Sequence, residues 1–190
     1  GASALTANTT GARNTAVGTV ALDANTTAAD NTAMGYAALG ANITGANNTA
    51  VGSYALDVAT TADSNTAVGN DALGATTTGS ANVAIGKGAG LLITTGTSNV
   101  AIGYLALDAA TTQSDNTAVG ANAGGALTTG HQNVAIGSSA LQTETDGNAK
   151  TAVGMGALAT DVSVDGSTGI GYHALYANTT GAENVAVGRS

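Results

Sequence analysis

Cysteine is absent from this 190-residue chain, which excludes disulfides and any thiol nucleophile. The absence fits a surface protein that is stable without cross-links. Tryptophan and phenylalanine are absent too, aromatics are only 3% of the residues, and the 43% hydrophobic content is largely alanine. A rounded globular core needs bulky side chains at crystal-like density. This composition predicts a thin, repetitive core instead. Charge is scarce: 4 Lys and Arg against 12 Asp and Glu give a net charge of −8 and a pI near 4.1. Phosphate backbones need cations, so nucleic acid is excluded as a partner. The longest run of bulky apolar residues, Leu91-Leu92-Ile93, is far short of a membrane span.

What the chain does have is period. The pentapeptide Asn-(Thr/Val)-Ala-(Val/Ile/Met)-Gly, or a close variant, begins at residues 14, 31, 48, 65, 82, 99, 116, 133, 150, 167 and 184. Every interval is 17 residues, with no insertion or deletion. Counting each coil from this pentapeptide, position 5 is always Gly and position 4 is always bulky and apolar, from Val17 to Val187. Position 1 is Asn except at Lys150 and Ser167. Position 9 is Leu in nine of eleven instances; Gly90 and Gly124 are the exceptions, and each is followed three residues later by a bulky residue, Ile93 or Leu127, read as volume compensation. The whole of 1–190 reads as one repeat domain, with the expectation that it is a segment of a longer fibre protein.

Seventeen residues at about 3.3 Å each give roughly 56 Å of chain, enough for one narrow coil of two short strands and two turns. Helical repeats run longer, at about 33 to 47 residues. The fold class is therefore all-β, a parallel β-solenoid of about eleven 17-residue coils whose identical residues stack into ladders. Asparagine ladders at position 1 are expected to exchange side-chain amide hydrogen bonds.

Strand parity then sorts the faces. With bulky position 4 pointing inward, positions 1, 3 and 5 point outward, and with Leu at position 9 inward, position 8 points outward. Position 8 is nonetheless Ala throughout: Ala21, Ala38, Ala55, Ala72, Ala89, Ala106, Ala123, Ala140, Ala157 and Ala174. A uniformly small outer face suggests close packing against another surface, so these alanines are the expected interface between chains.

Asn-Thr-Ala-Val-Gly and Asn-Val-Ala-Ile-Gly, followed by Ala-Leu and Asn-Thr-Thr-Gly, resemble the head repeats of YadA-like trimeric autotransporter adhesins. The run from Asn31 to Leu39 resembles repeats of phage-type tail fibres still more. Adhesin head repeats are usually shorter and less regular than this one. The resemblance implies a left-handed parallel β-roll, three chains about a fibre axis, and a place outside the cell, on a bacterial surface or a virion.

Little chemistry is legible. His131 and His173 sit in separate coils with no nucleophile to pair with, so catalytic residues and cofactors are expected to be none. Glu144 and Asp161 occupy position 12 of successive coils, with Asp146 and Asp165 in the same turns; four carboxylates could hold Ca²⁺, against the simpler expectation of solvated loop acids. Tyr36, Tyr104 and Tyr172 recur at position 6 as candidate ligand contacts or turn covers. Asn8, Asn25, Asn42, Asn47 and Asn178 begin N-x-Thr sequons, whose number chance explains. The expected function is a non-enzymatic structural or adhesive segment of a trimeric extracellular fibre, with itself as partner, a host-surface or matrix ligand as a further possibility, and no membrane insertion. The alternative is an ice-binding solenoid, against which stand the four valines that interrupt the Thr rank at position 2.

Overall fold

A computed structural model describes residues 1–160 and 165–190. Each coil contributes one three-residue strand: β1 (Thr15–Val17), β2 (Thr32–Met34), β3 (Thr49–Val51), β4 (Thr66–Val68), β5 (Val83–Ile85), β6 (Val100–Ile102), β7 (Thr117–Val119), β8 (Val134–Ile136), β9 (Thr151–Val153), β10 (Thr168–Ile170) and β11 (Val185–Val187). They form one parallel sheet in sequence order, paired residue for residue at 17-residue register. The chain is a β-solenoid, as the period demands. Among the described residues only one strand forms per coil; the expected second strand is replaced by turns.

Those turns explain the core. Leu22, Leu39 and Leu56, all at position 9, have φ near +50°, the left-handed region, and positions 7 and 17 adopt it as well, as in Tyr54 and Asp30. Left-handed residues interrupt the two-residue alternation of a strand. Positions 8 and 9 therefore both turn inward: Ala38, Leu39, Ala55 and Leu56 are all fully buried. At Gly90 and Gly124 the same conformation is taken by glycine, and the Ile93 and Leu127 side chains reach the space a leucine fills elsewhere; a Cβ at these glycines would lie 3.0 and 3.1 Å from their Cδ1 atoms.

In the strands the expected parity is inverted. Alanine at position 3 is the buried residue, as in Ala33, Ala50, Ala67 and Ala84, all at 0% exposure. Positions 2 and 4 face out: Val17 is 53% exposed, Met34 44% and Ile85 40%. The coil is too narrow for two bulky walls, so methyl groups line the inside of the sheet and leucine supplies the one large inward side chain.

Position 1 turns inward with position 3, and asparagine there does two jobs. Its Nδ2 donates to the position-15 carbonyl of its own coil, as Asn31 to Gly45 at 2.8 Å and Asn48 to Ala62 at 2.7 Å. Its Oδ1 accepts the backbone N–H of the next asparagine, at 2.9 Å from Asn48 to Asn31 and again from Asn65 to Asn48. The first bond closes the coil and the second stacks it. Side-chain exchange along position 1 is a minor addition, as from Asn99 to Asn82 at 3.1 Å. At position 12 it also links Asn42 to Asn25 at 3.1 Å.

The invariant position-5 glycines hold φ between 127° and 142°, and a Cβ on Gly69 would sit 2.5 Å from the Gly86 carbonyl oxygen. No other residue fits where successive backbones approach this closely.

Candidate functional site

Three surfaces surround the core. The first is the outer face of the sheet, where positions 2 and 4 form two parallel rows, Thr or Val in one and Val, Ile or Met in the other. All sixteen charged residues of the chain lie elsewhere in the repeat, and none occupies positions 2 to 5. Eleven strands at about 4.8 Å spacing make this face about 50 Å long. A continuous, uncharged and partly exposed face of that length marks a candidate interaction site.

The ten position-8 alanines do not contribute to it. Ala21 through Ala157 are fully buried within a single chain and Ala174 is 3% exposed. They cannot meet another chain, which corrects the expected interface. Their uniform smallness reflects the narrow interior, reached through the left-handed turn that strand parity does not foresee.

The second surface is the corner at positions 13 to 17, where polar side chains stitch coils together. Thr26 and Thr77 donate their hydroxyls to the carbonyls of Ile43 and Thr94 in the next coil, each at 3.2 Å. At position 16 a side-chain acceptor takes the backbone N–H of the coil before: Asp63 from Ala46 at 2.6 Å, His131 Nδ1 from Ser114 at 3.0 Å, Asn148 from His131 at 2.8 Å and Asp165 from Asn148 at 2.7 Å. His131 is thus a structural acceptor. The signal was present in the sequence, since position 16 is mostly Asp, Ser, Asn, His or Thr in the middle and later coils.

The acidic group weighed for calcium lies partly here, and its described members do not converge. Glu144 is fully buried; its Oε2 binds the Lys150 ammonium, and its Oε1 accepts the backbone N–H groups of Thr145, Asp146 and Gly147 at 3.0, 3.1 and 2.8 Å. Asp165 is engaged by Asn148, and Asp161 lies outside the described residues. Among the described residues no three such side chains form a metal-binding group. The carboxylate of Glu144 is committed to the core.

The third surface is the turn side made by positions 6, 7, 10 and 11. Two of its cavities lie five coils apart. One, about 420 Å³, is lined by Tyr54, Asp57, Asp71 and Leu91 over a floor of Gly74 and Ala75. Burial, the larger cause, and the neighbouring Asp71 charge raise the Asp57 carboxyl above its ordinary value. Tyr36 meets Tyr54 edge-on at 5.2 Å. The other, about 250 Å³, lies against His173 and Tyr176. Of the position-6 tyrosines, Tyr36 and Tyr172 thus belong to aromatic clusters and Tyr104 is exposed at 53%. Of the sequon asparagines, Asn25 and Asn42 are fully buried and Asn47 is exposed.

Comparison with protein-family models, curated proteins and solved structures finds no match to this chain.

Proposed function

We propose that the chain is a non-enzymatic, rigid segment of an extracellular fibre, in which three copies associate in parallel through their sheet faces. The observation that carries this reading is the uncharged double row at positions 2 and 4, half-buried to exposed along eleven strands. A second copy of the chain is the occupant that matches it best, because any copy offers an equally long apolar face at the same 17-residue register. Large exposed apolar surfaces on solenoids are otherwise a liability. The number three, and a place on a bacterial surface or a virion, follow from the resemblance to adhesin heads and tail fibres. Association multiplies whatever weak contacts a fibre makes with a host surface or matrix.

Light scattering behind a sizing column tests the reading. Three chains of 17.9 kDa give 53.7 kDa. Val68→Lys and Val119→Lys, which place ammonium groups on the face without touching the core, are expected to return the mass to 17.9 kDa with the β signal intact. A wild-type monomer overturns the fibre assembly.

Ice binding is the second reading, and the inverted parity favours it more than the sequence did. Two regular rows, one of them rich in threonine, project from one strand face. It requires a monomeric chain with thermal hysteresis; a trimer with none removes it.

A further inference from the structure

On the turn side, coil nine carries two small residues, Gly156 and Ala159, at positions 7 and 10. The coil before it presents Ser138, Ser139 and Gln142 at the neighbouring sites, and the coil after it presents His173 and Tyr176. A notch results between two walls, one amide and hydroxyl, the other aromatic.

The aromatic wall is built, not incidental. His173 stacks on Tyr172 at 4.0 Å and 12°, and Tyr176 packs on His173 at 4.6 Å and 31°. The Arg189 guanidinium lies 5.3 Å over the Tyr172 ring at the end of this column. Gly156 is required for it: a Cβ there would fall 2.4 Å from His173 Cδ2. The glycine lets the imidazole lie across the coil and support Tyr176, which stays 41% exposed. Thr160 is occupied, donating its hydroxyl to the Tyr176 carbonyl at 2.5 Å. Gln142 is exposed opposite.

Among the described residues, the lining contains no carboxylate, lysine or arginine. A cation or an anion therefore finds no counter-charge, in contrast to the other turn-side cavity, where Asp57 and Asp71 stand beside Tyr54. The volume, about 250 Å³, suits one ring rather than a chain segment. An amphipathic aromatic face beside an amide that both donates and accepts matches a molecule with an apolar C–H face and a rim of hydroxyls. We propose that this notch is a carbohydrate subsite that takes one neutral sugar ring, stacked on Tyr176 and hydrogen-bonded by Gln142 and Ser138. It lies off the sheet face, so it stands whether or not the chains associate.

The chain has only two histidines, which makes proton NMR of the imidazoles a direct readout with an internal control. His131, on the corner surface, reports non-specific change. Methyl glycosides of glucose, galactose, mannose and N-acetylglucosamine are titrated to about 50 mM, the range where single-ring affinities fall. At least one is expected to shift the His173 resonances along a saturating curve while His131 stays fixed. Gln142→Ala is expected to weaken that curve about fivefold, the loss of one neutral hydrogen bond. Tyr176→Ala, an exposed position whose variant keeps the far-UV circular dichroism of the parent, is expected to abolish it. The proposal is overturned if none of the four glycosides moves His173, if both histidines move together, or if Tyr176→Ala binds as tightly as the parent.

Discussion

Ala67→Val separates the two possible parities of the sheet. Ala67 lies in β4, paired in register with Ala50 and Ala84, and all three are fully buried. On an outward face, valine in place of alanine would be neutral or favourable, since β-branched residues suit strands. Facing inward, its two extra methyl groups have to enter the space between the alanine row and the leucines of positions 9. If room existed, each buried methyl would contribute about 0.8 kcal/mol of stability. In a close-packed interior the neighbours have to move, and over-packing costs about 1–3 kcal/mol. At a urea dependence of about 2 kcal/mol per molar, a cost of 2 kcal/mol lowers the unfolding midpoint by about 1 M. Urea unfolding followed by circular dichroism at 218 nm, with parent and variant at equal protein concentration, reads this directly. An unchanged or raised midpoint would refute the inward alanine row and, with it, the assignment of positions 2 and 4 to the outer face.

Three further outcomes follow from single sites. Gly69→Ala forces a Cβ to 2.5 Å from the Gly86 carbonyl oxygen at φ 137°, and is expected to cost about 1–3 kcal/mol in thermal unfolding, whereas Gly74→Ala, whose nearest neighbour is 3.3 Å away, stays within about 1 kcal/mol of the parent. Lys150→Ala strands the buried Glu144 carboxylate and is expected to cost about 3–5 kcal/mol, while the double variant Glu144→Asn with Lys150→Asn, which reproduces the spacing of Asn42 and Asn48, recovers parental stability or exceeds it; a double variant as weak as the single one contradicts this reading. Burial raises the carboxyls of Asp57 and Asp108 above the ordinary 3.8, so folding favours their protonated forms; their stabilising contribution is complete below 3.8 and disappears as pH rises through the raised values. Asp57→Asn and Asp108→Asn should therefore melt slightly higher than the parent at neutral pH, with the gap closing below 3.8, and a gap that widens in acid would contradict the assignment.

The frame of the solenoid was fully legible: an uninterrupted 17-residue interval, an invariant glycine, and residues too small for a round core. The direction of the side chains was not. Reading Val17 or Ile85 as core because they are bulky assumes that the interior has room for them, and the width of a coil is not written in any one residue. The inward turn of Ala38 beside Leu39 depends on a leucine at φ 51°, a conformation that leucine gives no sequence signal of adopting. The Glu144–Lys150 pair was legible in principle. Lys150 breaks the position-1 asparagine series, and Glu144, six residues earlier and of opposite charge, stands at position 12, a site held by Asn25, Asn42 and Asn178 but by Ala, Thr, Ile or Leu in the coils between Asn42 and Glu144. A cation in the position-1 series and an anion six residues before it compensate each other, and Glu144 taken alone looks like a metal ligand.

The same narrowness that turns alanine inward bears on how the chain is held together. Alanine contributes little burial, so leucine, with Ile93 and Leu127, is the main large apolar side chain inside each coil. Most of the valine and isoleucine of the strands sits on the outer face of the sheet, where its exposed part stabilises nothing until that face is covered. If three copies cover it, folding and association are one equilibrium, and stability depends on concentration. For a folded trimer in equilibrium with three unfolded chains, tenfold dilution removes about 2.7 kcal/mol per trimer, since 2RT ln 10 is lost as one particle becomes three. The thermal midpoint is therefore expected to fall at each tenfold dilution of the parent chain, and Val68→Lys should melt at one temperature throughout. A parent midpoint that holds constant over a hundredfold range would mean that each solenoid stands on its own leucine column and asparagine clamps, and that the exposed rows serve something other than assembly.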